Sequence, residues 1–293
     1  MMMVSTNITS VTLLVLVGLL VVVQEVSSFS IVPRGTIVHH SRSMPLWMSE
    51  DNDDEQDAAA VDMGNVGFVL LAGGTGGHPV LHYSMDLFIN KLPEFAQAHG
   101  LQGPPIVVLV MSPQYQPEYQ KFVDKYEGKL YFADPGEERQ GSVENGLTKL
   151  VEMAGDTCEY VAVHDSARPL VTIEEITNVI QDAKDCGAAV LGVPCKATIK
   201  ESEDGSTVLR TIPRARLWEV HTPQVIKIDT LKRGFAKVEA EHLEVTDDVS
   251  IVEALGEPVK LTCGEYTNLK ITTPEDMDVA SAILADRHTQ MTI

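Results

Sequence analysis

The sequence is poor in positive charge and has no paired cysteines. Its 22 Lys and Arg residues face 42 Asp and Glu residues, which gives a formal net charge of −20 at pH 7. Because an acidic surface does not attract nucleic acid or an anionic membrane surface, we expect neither as a partner. A small anionic substrate would depend on local Lys and Arg side chains. The 4 cysteines have neither the spacing of a zinc site nor that of a disulfide framework, so we interpret them as reduced packing residues.

The chain also lacks an apolar run long enough to cross a bilayer comfortably. The segment Val11 to Val23 is apolar apart from Thr12, and its length suits the apolar core of a signal peptide. The next segment, Phe29 to Ser49, contains arginine, histidine and serine but no acidic residue, a composition typical of a transit peptide. We therefore expect a signal peptide over residues 1–28, and a transit peptide with an acidic, disordered linker over residues 29–61.

A signal peptide followed by a transit peptide resembles the bipartite plastid presequence of algae with complex plastids, in which a phenylalanine follows the cleavage point. Phe29 would be that phenylalanine. The region before the apolar run has no Lys or Arg, which weakens this interpretation, and a membrane anchor is the alternative. On the plastid interpretation the mature protein covers residues 62–293, lies in the chloroplast stroma and has no membrane contact.

From residue 66 onwards, short apolar runs alternate with amphipathic helical patterns. The predicted strands are Gly67–Leu71, Ile106–Met111, Lys129–Phe132, Tyr160–His164 and Ala188–Val193. The predicted helices are Glu118–Tyr126, Ser142–Met153 and Ile173–Cys186. This alternation predicts one α/β domain with a doubly wound, mostly parallel, Rossmann-like sheet. Two further strand-like runs flank an Asp-Gly turn, which predicts a projecting β-hairpin arm over about residues 197–216.

The most informative motif ends a predicted strand with an acid and a base three residues apart, Asp165 and Arg168. Ligands of open α/β sheets gather beyond the carboxyl ends of the strands, where these two residues would lie. A carboxylate can hold a divalent cation, and a guanidinium can bind phosphate oxygens with its planar fork. Taken alone, the pair fits a structural ion pair equally well.

A glycine cluster follows the first predicted strand, over Ala72–Gly77. Glycines allow backbone N–H groups to approach an anion closely. The cluster has neither the Gly-Lys-Ser/Thr sequence of a P-loop nor a complete dinucleotide fingerprint. It is therefore a second candidate for phosphate binding, with a simple tight turn as the alternative.

With several later motifs, these elements resemble the 2-C-methyl-D-erythritol 4-phosphate cytidylyltransferase family, a group with a nucleotidyltransferase fold. The resemblance covers about Val66 to Leu284 and rests, in sequence order, on Leu71–Gly74, Gly136–Val143, His164–Pro169, Arg214 with Leu217–Trp218, His221–Gln224, Thr246–Asp248 and Asn268–Asp276. It implies transfer of CMP from CTP to 2-C-methyl-D-erythritol 4-phosphate, with release of pyrophosphate, in the non-mevalonate (MEP) pathway of isoprenoid biosynthesis. It also implies Mg²⁺ as cofactor and a homodimer in which the arm embraces the second subunit.

The resemblance assigns roles to individual residues. The expected catalytic residues are Asp165, which would also support the metal ion, and Arg168 and Lys270, which would hold phosphates. The residues expected to bind CTP are Ala72, Gly73, Gly74, Gly136, Glu137 and Ser142. The residues expected to bind the acceptor are Arg214 from the neighbouring subunit, Thr222 and Thr246. We interpret His164 as a residue that orients the turn, because the acceptor phosphate is already anionic and needs no base.

Some of these residues also fit simpler structural interpretations. Gly141 or Ser142 is a good helix N-cap, and Thr246 with its two following aspartates is good chemistry for a helix start. An isolated lysine such as Lys270, which we predict on a short strand Asn268–Thr272, usually faces solvent.

The resemblance is interrupted inside the glycine loop. The family's loop continues with an arginine, another glycine and a Pro-Lys pair, whereas here Gly76 is followed directly by Gly77-His78-Pro79, and no Lys or Arg occurs between Arg42 and Lys91. Such cations neutralise charge that builds on the triphosphate during transfer. The alternatives are a skipped segment, a catalytically impaired, non-enzymatic homologue, or a distant base that substitutes. Another sugar-phosphate nucleotidyltransferase is a further alternative. We favour a skipped segment, because the downstream motifs are complete.

Sequencing the transcript across the codons for Gly74 to Pro79 tests this interpretation. We expect a longer product that encodes an arginine and a Pro-Lys pair at this junction. A contiguous transcript would contradict the skipped segment and would predict little or no pyrophosphate release from CTP and 2-C-methyl-D-erythritol 4-phosphate.

Overall fold

The computed structural model describes residues 60–72 and 78–290. Within them the chain forms these strands: β1 Val66–Leu71, β2 Val107–Val110, β3 Leu130–Ala133, β4 Tyr160–Asp165, β5 Ala188–Pro194, β6 Lys200–Glu201, β7 Arg210–Thr211, β8 Trp218–Lys227 and β9 Lys260–Cys263. The α-helices are α1 His78–Asp86, α2 Leu92–Ala98, α3 Gln116–Lys125, α4 Arg139–Ala154, α5 Ile173–Cys186, α6 Ile228–Glu241, α7 Asp248–Ala254 and α8 Pro274–Gln290. The expected signal peptide, and nearly all of the expected transit peptide and linker, lie outside the described residues.

The central sheet has seven strands in the order β3-β2-β1-β4-β8-β5-β9. All neighbouring pairs are parallel except those of β8, which runs antiparallel to both β4 and β5. The prediction of a mostly parallel α/β sheet is confirmed. The sequence analysis did not predict β8. Because β8 runs in the opposite direction, its first half lies at the same edge of the sheet as the carboxyl ends of β4 and β5.

Helices cover both faces of the sheet, as predicted. Alternate residues of β1 supply the two faces: Phe68 and Leu70 belong to one apolar core and Val69 to the other. Helices α1, α2, α3 and α5 contribute buried side chains to the first core, and α4, α6 and α7 contribute to the second. In α4, Leu147, Leu150 and Ala154 are buried at helical spacing, and Val151 is partly buried.

The predicted hairpin arm is present as the two short strands β6 and β7, which pair antiparallel apart from the central sheet. At its tip the Asp204 carboxylate accepts hydrogen bonds from the backbone N–H groups of Ser206 and Thr207, and Gly205 adopts a φ of +69°. This is the Asp-Gly turn chemistry that the sequence indicates.

The predicted strand at Asn268–Thr272 is wrong. Side-chain bonds organise this segment instead of a ladder of strand pairs: the Asn268 amide donates to the Thr222 carbonyl, and the Asp276 carboxylate accepts from the backbone N–H groups of Thr272 and Thr273. The segment is therefore a loop fixed at both ends. In the part of the chain described here, we find no helix with the length and apolarity needed to span a membrane.

Helix α4 packs on the sheet through Gly146, and this contact gives a test of the fold. A Cβ atom at Gly146 would lie 2.5 Å from Val69 Cγ1 and 2.8 Å from Val110 Cγ2. Both valines are buried, so we expect Gly146→Ala to cost about 2–3 kcal/mol through overpacking, more than the roughly 1 kcal/mol that alanine gains in helix propensity. Urea unfolding should show a lower free energy of unfolding.

The matched control is Gly141→Ala in the same helix, whose Cβ would meet only the Gly136 Cα, at 3.4 Å. We expect this control to be at least as stable as the wild type. A Gly146→Ala protein of wild-type or higher stability would contradict the close packing.

Candidate active site

Polar side chains from five segments converge at the edge of the sheet where β1 and β4 end. In the register of the parallel pair, Leu71 at the end of β1 lies opposite Asp165 at the end of β4. The antiparallel β8 brings Thr222 to the same place, because Gln224 pairs with Val163. The starts of α4 and α7 and the loop before α8 complete the group. The sheet topology therefore brings together residues that are far apart in sequence.

Asp165 lies at the centre of this group and is only 8% exposed. Lys270 Nζ donates to its Oδ2 at 2.7 Å, and Arg139 Nη2 donates to its Oδ1 at 3.3 Å. Burial alone would raise the pKa of the Asp165 carboxyl, but the positive charge of Arg139 and the bond from Lys270 outweigh it, so the pKa lies below its ordinary value. Asp165 is therefore a carboxylate at neutral pH with a cation at each oxygen.

His164 and Thr222 fix the backbone at the end of β4. The Thr222 hydroxyl accepts from the Asp165 N–H at 3.1 Å and lies 3.2 Å from His164 Nδ1. His164 Nε2 lies 3.1 Å from the Arg168 carbonyl, to which it must donate, so Nδ1 is the acceptor of the Thr222 hydroxyl. Burial lowers the pKa of His164 to about 4, which keeps the ring neutral. These contacts give His164 the orienting position that the sequence analysis expects, and they engage the Thr222 hydroxyl inside the protein.

Arg168 ties the end of β4 to the loop that presents Lys270. Its Nη1 donates to the Asn268 carbonyl at 2.7 Å, and the Ile271 N–H donates to the Ala167 carbonyl at 2.8 Å. Burial lowers the pKa of Arg168 from its ordinary value. Among the described residues, four buried side-chain atoms of this region lack a hydrogen-bond partner: Ser166 Oγ, Arg168 Nε, His221 Nδ1 and Asn268 Oδ1. The region thus keeps unused hydrogen-bonding capacity beside the Asp165 turn.

Arg139, which the sequence analysis did not select, is a principal member of the site. Its guanidinium binds both oxygens of Asp248, at 2.7 and 2.9 Å, as well as Asp165. Burial lowers the pKa of Arg139, but the bonds to Asp248 and the charge of Asp165 more than offset this and raise it. Both partners belong to motifs quoted above, yet no spacing in the sequence connects positions 139 and 248.

The loop before α4 is folded tightly on itself. The Gly136 N–H donates to Ser142 Oγ at 3.1 Å, and this hydroxyl donates to the Glu138 carbonyl at 3.1 Å. A Cβ atom at Gly136 would lie 2.5 Å from the Gly141 carbonyl carbon, so this close approach requires glycine. Helix α4 begins at Arg139 with Glu138 as its N-cap, so the alternative of an N-cap at Gly141 or Ser142 is wrong. Glu137 is exposed on this loop.

The remaining predicted residues occupy different surroundings. The Ala72 N–H donates to the Val110 carbonyl at 2.9 Å, which extends the pairing of β1 and β2, whereas Gly73 and Gly74 lie outside the described residues. Thr246 is exposed and precedes the N-cap of α7, Asp247, as the helix-start interpretation predicts. Arg214 is exposed in a 3-10 turn that follows β7 at the end of the arm, where it donates to the Lys196 carbonyl at 2.9 Å.

Among the residues that the structure describes, no group of three or more His, Cys, Asp or Glu side chains is placed to hold a metal ion. Asp165 supplies a single carboxylate at the centre of the group. Mg²⁺ is commonly held by one or two carboxylates together with substrate phosphates. The donor set therefore fits a metal ion that binds with a phosphate ligand, once Lys270 moves off Oδ2.

Comparison with known proteins identifies the family. The family model IspD, 2-C-methyl-D-erythritol 4-phosphate cytidylyltransferase, matches residues 95–286. The chloroplastic 2-C-methyl-D-erythritol 4-phosphate cytidylyltransferase of Oryza sativa subsp. japonica is 40% identical over 270 residues, which cover 89% of this chain and 86% of the relative. The chain belongs to this family. It is therefore a member of a family of nucleotidyltransferase enzymes of the MEP pathway, as the sequence motifs predict.

Further members of the cytidylyltransferase family agree in sequence and in fold. The enzyme of Desulforamulus reducens is 37% identical over 246 residues, covering 77% of this chain and 98% of the relative. The crystal structure of 4-diphosphocytidyl-2C-methyl-D-erythritol synthase from Anaerococcus prevotii matches with a TM-score of 0.65 at 26% identity, covering 76% of this chain and all of the other. The Thermus thermophilus cytidylyltransferase structure matches with a TM-score of 0.57 at 30% identity, covering 73% and 97%. These matches favour neither a non-catalytic homologue nor another sugar-phosphate nucleotidyltransferase.

Two buried histidines near the site predict how stability depends on pH. Burial lowers the pKa of His164 to about 4, and burial with the charge of Arg168 lowers that of His221 to about 4. Between pH about 6.5 and 4 the unfolded chain therefore binds more protons than the folded one, so the free energy of unfolding falls as the pH falls through this window. Each histidine contributes up to about 3 kcal/mol to the fall.

Urea unfolding at several pH values across this window measures the slope. His221→Asn, which removes one of the two groups and leaves the bonded His164 in place, should give a shallower fall than the wild type. Equal slopes in the two proteins would show that His221 is not buried in its neutral form.

Proposed function

We propose that this chain transfers CMP from CTP to 2-C-methyl-D-erythritol 4-phosphate and releases pyrophosphate. The observation that supports this most directly is the Asp165 carboxylate, held between Lys270 and Arg139 at the carboxyl ends of the central strands in a chain of this family. Phosphoryl and nucleotidyl transfers depend mainly on positioning and on charge stabilisation, and the site offers fixed charges of both signs.

The proposed cofactor is Mg²⁺, with Asp165 as its protein ligand. When bound, the ion would neutralise charge on the phosphate oxygens that surround the reacting phosphorus. Lys270 is the side chain with room to turn away from Asp165, since 45% of it is exposed. It would then place its ammonium group on a substrate phosphate, beside the position it holds in the free protein.

The proposed reaction is an in-line attack by an acceptor phosphate oxygen on the α-phosphorus of CTP. The P–O bond to the departing pyrophosphate breaks as the new P–O bond forms, and no proton has to be removed because the acceptor phosphate is already ionised. His164 would take no proton, since it is neutral and both ring nitrogens are engaged. Arg168 and Lys270 would fix phosphates, Arg168 through the part of its guanidinium that Asn268 leaves free.

The nucleotide would bind beside the glycine loop and the start of α4. Ala72, Gly73 and Gly74 would face the triphosphate, and Gly136, Glu137 and Ser142 would face the cytosine base. Ser142 supports the second part of this proposal, since its hydroxyl bridges Gly136 and Glu138 and so gives the loop one defined shape. A loop of fixed shape can select a base with backbone hydrogen bonds.

We propose a homodimer in which the arm of each subunit reaches the other subunit's site. Apolar side chains of the arm support this, because Ile199, Val208 and Leu209 are 39%, 57% and 55% exposed. Arg214 would then hold the acceptor in the neighbouring site, together with Thr222 and Thr246. Thr222 would act mainly by fixing the backbone of Asp165, whose N–H group its hydroxyl binds.

The proposed location is the chloroplast stroma. The rice relative is named as chloroplastic, and the composition of residues 1–61 is that of a signal peptide followed by a transit peptide and a linker. The proposed mature enzyme begins near Asp62 and binds neither nucleic acid nor membrane.

Lys270→Ala tests the proposed role of the lysine. We expect kcat to fall by about 10²- to 10³-fold, because one preorganised cation is lost from the developing phosphate charge. The measurement is pyrophosphate release by the full chain with CTP, 2-C-methyl-D-erythritol 4-phosphate and Mg²⁺. The matched control is Lys260→Ala, which removes an exposed lysine from strand β9 and should keep wild-type activity.

Two outcomes would overturn the proposal. Wild-type activity in the Lys270→Ala protein would remove the lysine from the mechanism. Turnover by the wild-type chain with UTP or GTP in place of CTP would assign it to another sugar-phosphate nucleotidyltransferase reaction.

A further inference from the structure

A buried aspartate outside the proposed catalytic set holds Arg139 in a single orientation. The Asp248 side chain is 2% exposed, and its two oxygens take Nη1 and Nη2 of Arg139 at 2.7 and 2.9 Å. A bidentate, charge-assisted pair of this kind fixes the plane of the guanidinium as well as its distance. Nη2 is the same atom that reaches Asp165 at 3.3 Å. The guanidinium that meets Asp165 is therefore the one that Asp248 binds with both of its oxygens.

Asp248 is in turn fixed to the central sheet. The backbone N–H groups of Asp248 and Val249 both donate to Gln224 Oε1 at 2.9 Å. Gln224 lies on β8 and pairs with Val163 on β4, two residues before Asp165. A closed path therefore runs from the strand that bears Asp165, through β8 and α7, to Arg139 and back to Asp165. Its members are packed or hydrogen bonded at every step.

The two cations on Asp165 differ in how firmly they are held. Lys270 is 45% exposed and bonds Asp165 through a single ammonium group on a flexible stem. Arg139 is 33% exposed and is anchored by two bonds to a buried carboxylate. A phosphate group that enters the site would therefore attract Lys270 more readily than Arg139, because moving Arg139 would leave the buried Asp248 charge unpaired.

We propose that Asp248 is a positioning residue for this reaction: it holds Arg139 on Asp165, so that Asp165 stays paired and oriented while Lys270 moves to the substrate. This inference rests on the proposed function. Asp248 touches no reacting atom and acts through Arg139. Without it, the guanidinium is free to turn toward phosphate oxygens or to cover both oxygens of Asp165.

A double-mutant cycle of Asp248→Asn and Arg139→Gln in the full chain tests this proposal. Asp248→Asn keeps the shape of the side chain and removes the charge that holds Arg139. We expect kcat to fall by about tenfold or more, with the KM for CTP changed by less than about threefold, since the lost effect lies in the transition state. Arg139→Gln should give a similar loss, and the double variant should lose no more than either single variant.

The control is Glu253→Gln, which removes an exposed acidic charge from the same helix. It should leave both kcat and KM unchanged. Wild-type kcat in Asp248→Asn, a change in KM alone, or losses that multiply in the double variant would each overturn the proposal. If circular dichroism shows that Asp248→Asn does not fold, Arg139→Lys becomes the test. Lysine keeps the positive charge but lacks the planar guanidinium that binds both oxygens of Asp248. A tenfold loss of kcat then supports the proposal, and wild-type kcat overturns it.

Nitrogen NMR of the arginine side chains separates this proposal from the proposed function. If Asp248 holds Arg139, the wild-type chain should show distinct, slowly exchanging Nη signals for Arg139 that merge in Asp248→Asn. Identical Arg139 signals in the two proteins would overturn the holding role. A wild-type chain that releases no pyrophosphate would refute the proposed function, and the NMR comparison would still decide whether Asp248 holds the guanidinium.

Discussion

The rest of the site depends on the buried negative charge of Asp165. A carboxylate that is 8% exposed is costly unless cations and hydrogen bonds compensate it. Arg139 and Lys270 supply the charge, and the backbone N–H of Asp165 is fixed by Thr222. Arg139 comes from α4 and Lys270 from the loop before α8, so neutralising this one charge fixes the positions of two separate segments against β4, and the backbone bond to Thr222 adds β8. The contacts that compensate the charge of Asp165 therefore also hold the site together.

The direction of β8 decides whether this assembly is possible. In a sheet of parallel strands only, each strand brings its carboxyl end to the site edge. β8 runs the other way, so its first half, with Thr222, reaches that edge, while Gln224 continues the ladder beside Val163. One strand thereby secures the end of β4 through Thr222 and the start of α7 through Gln224. The reversed strand thus places a rigid element, and not a loop, at the centre of the site.

The fold and part of the site could be predicted from the sequence because their signals are local. Apolar runs and helical spacing located β4 and α5, and the Asp-Gly pair located the arm turn. The motif around Asp165 located the site, and the family resemblance assigned Lys270 to it. Arg139 and Asp248 could not be paired in this way, since they are 109 positions apart and their contact depends on how α4 and α7 dock on the sheet. The loop at Asn268 was predicted as a strand because apolar and polar residues alternate in it. This pattern cannot show that the hydrogen bonds of the segment involve side chains and not a neighbouring strand.

The distribution of charge in the site also bears on the interrupted glycine loop. The described charged side chains gathered around Asp165 are three cations, Arg139, Arg168 and Lys270, and two carboxylates, Asp165 itself and Asp248. A single positive charge in excess is small against a triphosphate and a second phosphate, even with a divalent ion between them. Arg139 is committed to the carboxylates, and Arg168 is tied to the loop at Asn268. The triphosphate therefore needs cations from the glycine loop, which follows the end of β1 opposite Asp165 and which has no Lys or Arg in this sequence. This shortage of charge agrees with a skipped segment at Gly76, because the arginine and lysine of the family's loop would supply the cations that the described part of the site lacks.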